Sequence, residues 1–312
     1  MILCCLRRGP PQNYINGRES MSNYYNTGDI LRAYDIKPTK SLGQNFLNDL
    51  NVVRNIVDCG ELSKDEAVIE VGPGLGVMTS MLSEEAGLVV AVEIDQHLMP
   101  VLEPLALSRG NIKIINKDIL SLDINHDIIE SIIKPAGFTK VKVVANLPYY
   151  ITTPIAMKFL EENVSGLEKL VFMVQKEVAD RMTAGPGGKE YGALSVAVGY
   201  FAEGKTEFKV PPSCFSPRPA VDSAVVSLNV RKEPPFELSD KDFFFKVVKA
   251  AFGQRRKTLA NAISNANYLG ASREDVYAIL EKMNKDSLIR GETLKPEEFA
   301  VLANLLFENK NK

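Results

Sequence analysis

Two periods of apolar and polar positions divide the chain. Short, largely uncharged runs recur at 67–71, 88–92, 112–116, 141–145, 169–175 and 223–230. Their lengths and the turn-forming residues around them predict strands. Between them the apolar residues fall at helical spacing, predicting helices over 50–59, from the glycine run to 82, and over 96–108. Strands that alternate with helical stretches predict an α/β chain built on an open parallel sheet. Beyond KEPPF at 232–236 only the helical period remains, over 242–252, 257–265, 273–283 and 296–307. The sequence therefore divides into a sheet domain over 31–235 and a smaller all-helical domain over 236–312. Residues 1–30 lack either period and are read as a poorly ordered extension, in which Met21 is an alternative start.

The sheet domain is organised around residues 68–79, VIEVGPGLGVMT. An apolar strand broken only by Glu70 runs into Gly72, Gly74 and Gly76 and then into a helix. Alternate glycines permit positive φ and remove Cβ atoms where a ligand lies against backbone, while the N–H groups opening the helix face that ligand. A dinucleotide fingerprint, G-x-G-x-x-G, would need glycine at position 77, where Val77 stands. The next strand ends in Glu93, whose carboxylate can accept both hydroxyls of a ribose. This pair of features serves NAD or S-adenosylmethionine, and the missing third glycine favours S-adenosylmethionine. Asp118 closes the third strand, placed either to accept from an exocyclic amine such as adenine N6 or to cap the next turn. Asn146 closes the fourth. Ligands of open α/β sheets sit beyond the carboxyl ends of the strands, so one crevice can hold Gly72, Glu93, Asp118 and Asn146.

Composition narrows the chemistry further. No stretch approaches 18 uninterrupted apolar residues, so no membrane span is expected. Cys4, Cys5, Cys59 and Cys214 show no C-x-x-C pairing, and the only histidines are His97 and His126. Neither a metal site nor histidine-dependent nucleophilic catalysis is expected, and a reduced, cytoplasmic location fits. Net charge is −2, yet residues 205–257 hold eleven Lys/Arg against six Asp/Glu. Within that excess, Arg255, Arg256 and Lys257 form a run suited to phosphate contact, or else a solvated face.

Asn146-Leu147-Pro148-Tyr149 is either a strand-ending turn with a packed Tyr or, as the convergent crevice favours, the motif that carries the chemistry. The amine of a nucleobase is a poor nucleophile because its lone pair is delocalised into the ring. The Asn146 side-chain oxygen and the Leu147 carbonyl can both accept from that amine and aim its lone pair at a methyl sulfonium. Pro148 stiffens the turn and contributes no N–H, and Tyr149 offers a face on which the base stacks. Phe215, in the proline-rich stretch 211–219, either presents a second ring to the crevice or anchors its loop in the core. The loop at 37–50, with Lys37, Lys40, Gln44, Asn45 and Phe46, mixes cations, amides and an aromatic ring that needs something to pack against.

Several strings, in order, resemble the small-subunit ribosomal RNA adenine N6,N6-dimethyltransferases: GQNFL at 43–47, EVGPGLG at 70–76, VEID at 92–95, KDIL at 117–120, NLPYYI at 146–151, FMVQKEVADR at 172–181, YGALSV at 191–196, PPSCFSPRPAVDSAVV at 211–226 and AFGQRRKTL at 251–259. The resemblance runs from about residue 37 to the C-terminus. It implies a Rossmann-like S-adenosylmethionine-dependent methyltransferase sheet with a helical RNA-binding domain. The implied activity is transfer of four methyl groups to two adjacent adenosines near the 3′ end of small-subunit rRNA. It further implies that Asn45 and Leu47 close over the cofactor, that Gly72 and Gly74 lie against its amino-acid end, and that Glu93 holds the ribose. Asp118, with Ile119, receives the adenine, Asn146 touches cofactor and target amine, and Tyr149 and Phe215 sandwich the target base. The expected partner is small-subunit rRNA or an immature small ribosomal subunit, bound by a monomer. Two alternatives stand beside this reading: a large-subunit rRNA methylase of the macrolide-resistance type, and an assembly factor acting mainly by binding. A nicotinamide oxidoreductase is disfavoured by Val77 and by the N-L-P-Y motif.

Overall fold

A computed structural model describes residues 27–39 and 42–310. Residues 1–26 of the expected extension, with Cys4, Cys5 and Met21, lie outside the described residues, as does Lys40. Residues 27–30 do not belong to an extension. They open a helix, α1 (Thr27–Ala33), with Thr27 and Ile30 buried. Ile30 joins Ile36, Phe46, Leu75, Leu98 and Leu102 in one apolar cluster, and seven residues are too few to display a helical period.

Among the described residues nine strands follow: β1 (Phe46–Leu47), β2 (Glu66–Val71), β3 (Leu88–Val92), β4 (Ile112–Ile115), β5 (Lys140–Asn146), β6 (Leu167–Gln175), β7 (Ala202–Val210), β8 (Phe215–Ser216) and β9 (Ser223–Val230). Seven of them form a sheet in the order β4-β3-β2-β5-β6-β9-β7. The pairs from β4 to β6 are parallel, and β9 runs antiparallel to β6. From β2 the chain moves outward through β3 to β4, then returns to place β5 on the other side of β2. That reversal is the topological switch point, where the connections splay and a crevice opens at the carboxyl ends. β2 lies in the middle of the five parallel strands, and all six of its residues are buried.

Every strand expected from the sequence is present. β7 was not legible as one, because AEGKTEFKV is polar along most of its length. It lies at the edge of the sheet, where charged side chains face water and discourage further pairing. A ten-residue π-type helix, Ile124–Ile133, also escaped the periodicity, and it buries Ile124, Ile128, Ile129 and Ile133. Apart from the main sheet, β1 and β8 pair antiparallel, Phe46 opposite Ser216 and Leu47 opposite Phe215.

Two compact units emerge. The first runs up to Lys176 and resumes over Lys205–Val230; the second comprises Glu177–Gly204 and Arg231–Lys312. The single cut at 236 read from the sequence assigned Glu177–Gly204 to the sheet domain, whereas its side chains pack into the core of the helical unit. Tyr191 and Val196 are buried with Phe244, Val247, Ile263 and Phe299, and the Tyr191 hydroxyl donates to the Leu294 carbonyl at 2.9 Å. Tyr200 packs against Phe244, with ring centroids 5.9 Å apart. Among the described residues no helix is long and apolar enough to cross a membrane.

Candidate active site

The turn after β2 has the backbone that its glycines allow. Gly72, Gly74 and Gly76 have φ of 69°, 59° and 77°, in the left-handed region that side-chain-bearing residues avoid. The Gly72 N–H donates to the Val92 carbonyl at 2.9 Å, fastening the turn to the end of β3. A Cβ added at Gly74 would lie 3.3 Å from the Phe46 ring, and one at Gly72 would lie 3.9 Å from the Asn146 carbonyl oxygen. The glycine turn, the end of β5 and the segment around β1 therefore converge within van der Waals reach.

Glu93 stands beside this turn, 4% exposed. Its Oε2 accepts from the Gly74 N–H at 3.2 Å and its Oε1 from the Asp95 N–H at 2.9 Å, which fixes the carboxylate plane at the crevice wall. Burial raises its pKa, and those two N–H donors partly offset the rise. Glu70, the one charge in the buried run of β2, also lines the crevice. It is wholly buried, and neither carboxyl oxygen has a hydrogen-bond partner. Burial pushes its pKa up to about 8, the Thr79 hydroxyl opposing and the Glu93 charge reinforcing that rise. The sequence reading gave Glu70 no role, although a lone charge inside a strand buried on both faces is itself a signal.

On the other side of the switch point, β5 ends at Asn146, and the Leu147 N–H donates to the Met173 carbonyl at 3.1 Å. Pro148 then turns the chain, and the half-buried Tyr149 is held by a 2.7 Å hydrogen bond between its hydroxyl and Ser223 Oγ. Asp118 takes its capping reading, Oδ1 accepting from the Leu120 N–H at 2.9 Å to cap the turn Ile119–Ser121, and the residue also lines the crevice.

One crevice of about 1320 Å³, its open mouth included, gathers Asn45, Leu47, Gly72, Gly74, Glu93, Asp118, Ile119 and the run from Asn146 to Tyr149. Three further lining residues, Ile94, Leu120 and Tyr150, expose large apolar surfaces (48%, 37% and 55%) suited to a planar ligand. Phe215 is not brought to the crevice. It is 3% exposed and belongs to a core cluster with Val53, Val210 and Val225, as the loop-anchor alternative requires. Arg255, Arg256 and Lys257 are exposed in the helical unit, between the helices Lys241–Gly253 and Leu259–Ser264. Arg255 is engaged there, donating to the Lys189 carbonyl at 2.9 Å and pairing with Glu292 at 3.2 Å. Among the described residues no group of three or more His, Cys, Asp or Glu side chains is arranged to hold a metal ion.

With this geometry in place, comparison with known proteins is specific. The chain matches the ribosomal RNA adenine dimethylase family over residues 36–303. It is 49% identical over 281 residues to a ribosomal RNA small subunit methyltransferase A from Geobacillus sp. (strain WCH70), covering 90% of this chain and 95% of that one. Among solved structures, a dimethyladenosine transferase from Plasmodium falciparum shares the fold, with TM-score 0.70 at 23% identity over 85% of this chain and 98% of that one. The 23S rRNA methyltransferase ErmE gives a TM-score of 0.64 at 26% identity, over 84% of this chain and 99% of its own. The family match spans most of the chain, the 49% relative covers nine-tenths of it, and the crevice carries the motif residues at the strand ends: this chain belongs to the ribosomal RNA adenine dimethylase family.

Proposed function

We propose that this chain transfers methyl groups from S-adenosylmethionine to N6 of two adjacent adenosines near the 3′ end of small-subunit rRNA, giving N6,N6-dimethyladenosine. The observation that carries this is the convergence of Gly72, Glu93, Asp118 and Asn146 on one crevice at the switch point. The residues present suit the cofactor. The glycine turn leaves a cradle that Cβ atoms would narrow, Glu93 presents a fixed carboxylate to a ribose, and the unpartnered oxygens of Glu70 are left free to meet a polar group of a ligand. When bound, S-adenosylmethionine supplies an electrophilic methyl group on a sulfonium.

The chain's own task is then alignment. Asn146 Oδ1 and the Leu147 carbonyl accept from the two hydrogens of the target amine, turning its lone pair toward the methyl group. Pro148 keeps that turn rigid, and Tyr149, pinned through Ser223, is the ring on which the base stacks. In this arrangement Phe215 acts from behind, holding the loop through the β1:β8 pair. Neither histidine lines the crevice, which accords with a reaction that depends on positioning more than on a dedicated base. The target adenosine enters unpaired or flipped, since its N6 is otherwise engaged in pairing.

The Geobacillus relative's name and its 49% identity favour small-subunit over large-subunit rRNA as substrate, against 26% for ErmE. An immature small subunit, met by a monomer in the cytoplasm, is the partner we assign. The test is methylation of unmethylated small subunits, with S-adenosylmethionine in excess so that each adenosine can be methylated twice, by the chain and by its Asn146→Ala variant. Dimethyladenosine formed by the first and nearly lost in the second, with S-adenosylhomocysteine binding retained, supports the assignment. Equal rates contradict the role of Asn146.

A further inference from the structure

The motif VEID ends β3 with two acidic residues, and the cofactor reading uses only the first. Asp95 is also buried, at 5% exposure, and its two oxygens serve different parts of the chain. Oδ1 stays local. It accepts from the His97 N–H at 3.0 Å and lies 2.8 Å from His97 Nδ1, capping the turn Gln96–Leu98. Oδ2 reaches back more than fifty residues, accepting from Gln44 Nε2 at 2.8 Å and from Thr39 Oγ1 at 3.2 Å. Gln44 Oε1 in turn accepts from the Thr39 N–H at 2.8 Å, so Thr39, Gln44 and Asp95 close a ring of hydrogen bonds.

From that ring the chain passes directly into Asn45, Phe46 and Leu47, which line the crevice. Phe46 lies against Gly74, Gly43 lies against the Tyr150 ring, and Leu47 pairs with Phe215. The segment is thus a strap across the crevice, fixed at one end by β1:β8 and at the other by a buried carboxylate. Hydrogen bonds to an ionised acceptor are stronger than neutral ones, and a strap already held in place loses less freedom when a ligand arrives. Burial would raise the Asp95 pKa, but the donors from His97, Gln44 and Thr39 hold it below the usual range, so the acceptor is ionised. Its own N–H donates to Glu93 Oε1, which ties the strap's anchor to the carboxylate assigned to the ribose.

We propose that Asp95 is a positioning residue for cofactor binding, fastening Thr39 and residues 42–47 at the crevice through Oδ2. This rests on the cofactor reading above. In Asp95→Asn, an amide oxygen preserves the local cap while an NH2 group replaces the acceptor that Gln44 and Thr39 need. Gln44→Ala removes the Gln44 part of that link without touching Asp95 and leaves the Thr39 hydroxyl on Oδ2. The double variant Asp95→Asn/Gln44→Glu restores the link with donor and acceptor exchanged.

The experiment combines calorimetric affinity for S-adenosylhomocysteine with backbone hydrogen exchange over 42–47. Both single variants are expected to bind more weakly, by about tenfold for the one hydrogen bond to a charged group lost in Gln44→Ala and by more for the two lost in Asp95→Asn. They should also exchange faster over 42–47 and raise KM for S-adenosylmethionine more than they lower kcat, and the double variant should recover affinity. Unchanged affinity and exchange in both single variants overturn the proposal. So does a loss in Asp95→Asn that Gln44→Ala does not share at all, which marks an effect of the Asp95 charge that does not pass through Gln44. Failure of the unaltered chain to bind S-adenosylhomocysteine overturns the cofactor reading, and the proposal with it.

Discussion

Glu70 makes the stability of the sheet domain depend on pH in a way one substitution isolates. Its carboxyl is wholly buried near the C-terminal end of β2, with no hydrogen-bond partner for either oxygen, and burial raises its pKa from an ordinary 4.5 to about 8. Between those two values the native chain holds a proton that the unfolded chain has released. Stability from the neutral carboxyl is therefore complete below pH 4.5 and is lost as pH rises to about 8. At about 1.36 kcal/mol per pH unit, the loss across that window is on the order of 4–5 kcal/mol. Glu70→Gln keeps the shape and a neutral group, so it carries no such loss. Urea unfolding of both proteins at pH 5, 6, 7 and 8 gives the difference directly, with every other titrating group common to the two. The variant should gain on the parent steadily with pH, and the gap should narrow in Glu93→Gln, because the Glu93 charge contributes to the raised Glu70 pKa. Parallel stability profiles would refute the reasoning and mean that Glu70 is ionised and compensated in the native state.

Glu93→Gln leaves one acceptor where the Gly74 and Asp95 N–H groups now use two, and removes the charge offered to a ribose. Calorimetry should show S-adenosylhomocysteine binding weakened by roughly 1.5–3 kcal/mol, and unchanged affinity would remove Glu93 from the site. Arg256→Gln with Lys257→Gln should lower the salt slope of RNA binding by about 1.4, if each side chain meets one phosphate of a single strand. Arg255→Gln should change it less, since Arg255 is already paired with Glu292. A titration of RNA affinity against salt checks both, and an unaltered slope returns the run to a solvated face.

The sequence made the site more legible than the fold around it. Gly72, Glu93, Asp118 and Asn146 each end or follow an apolar run, so strand periodicity alone located them, and the parallel topology then required them to converge. β7 was hidden because an edge strand is stabilised on one side only and carries charges along its length. The place of Glu177–Gly204 depends on Tyr191 and Tyr200 meeting aromatic residues more than forty positions downstream, a contact that local pattern does not record. Phe215 shows the limit from the other direction. Its motif offered a stacking ring or a core anchor, and only packing distinguishes them. The ring of Thr39, Gln44 and Asp95 was also out of reach, because it joins a loop to a strand end through side chains of ordinary polarity.

Labelled S-adenosylmethionine, offered together with unmethylated small and large ribosomal subunits, tests directly which RNA this crevice serves when the modified nucleoside is identified after digestion. N6,N6-dimethyladenosine should be confined to the small subunit. Label confined to the large subunit would contradict the substrate assignment, and no label on either, with binding to the small subunit retained, would contradict the assignment of catalysis.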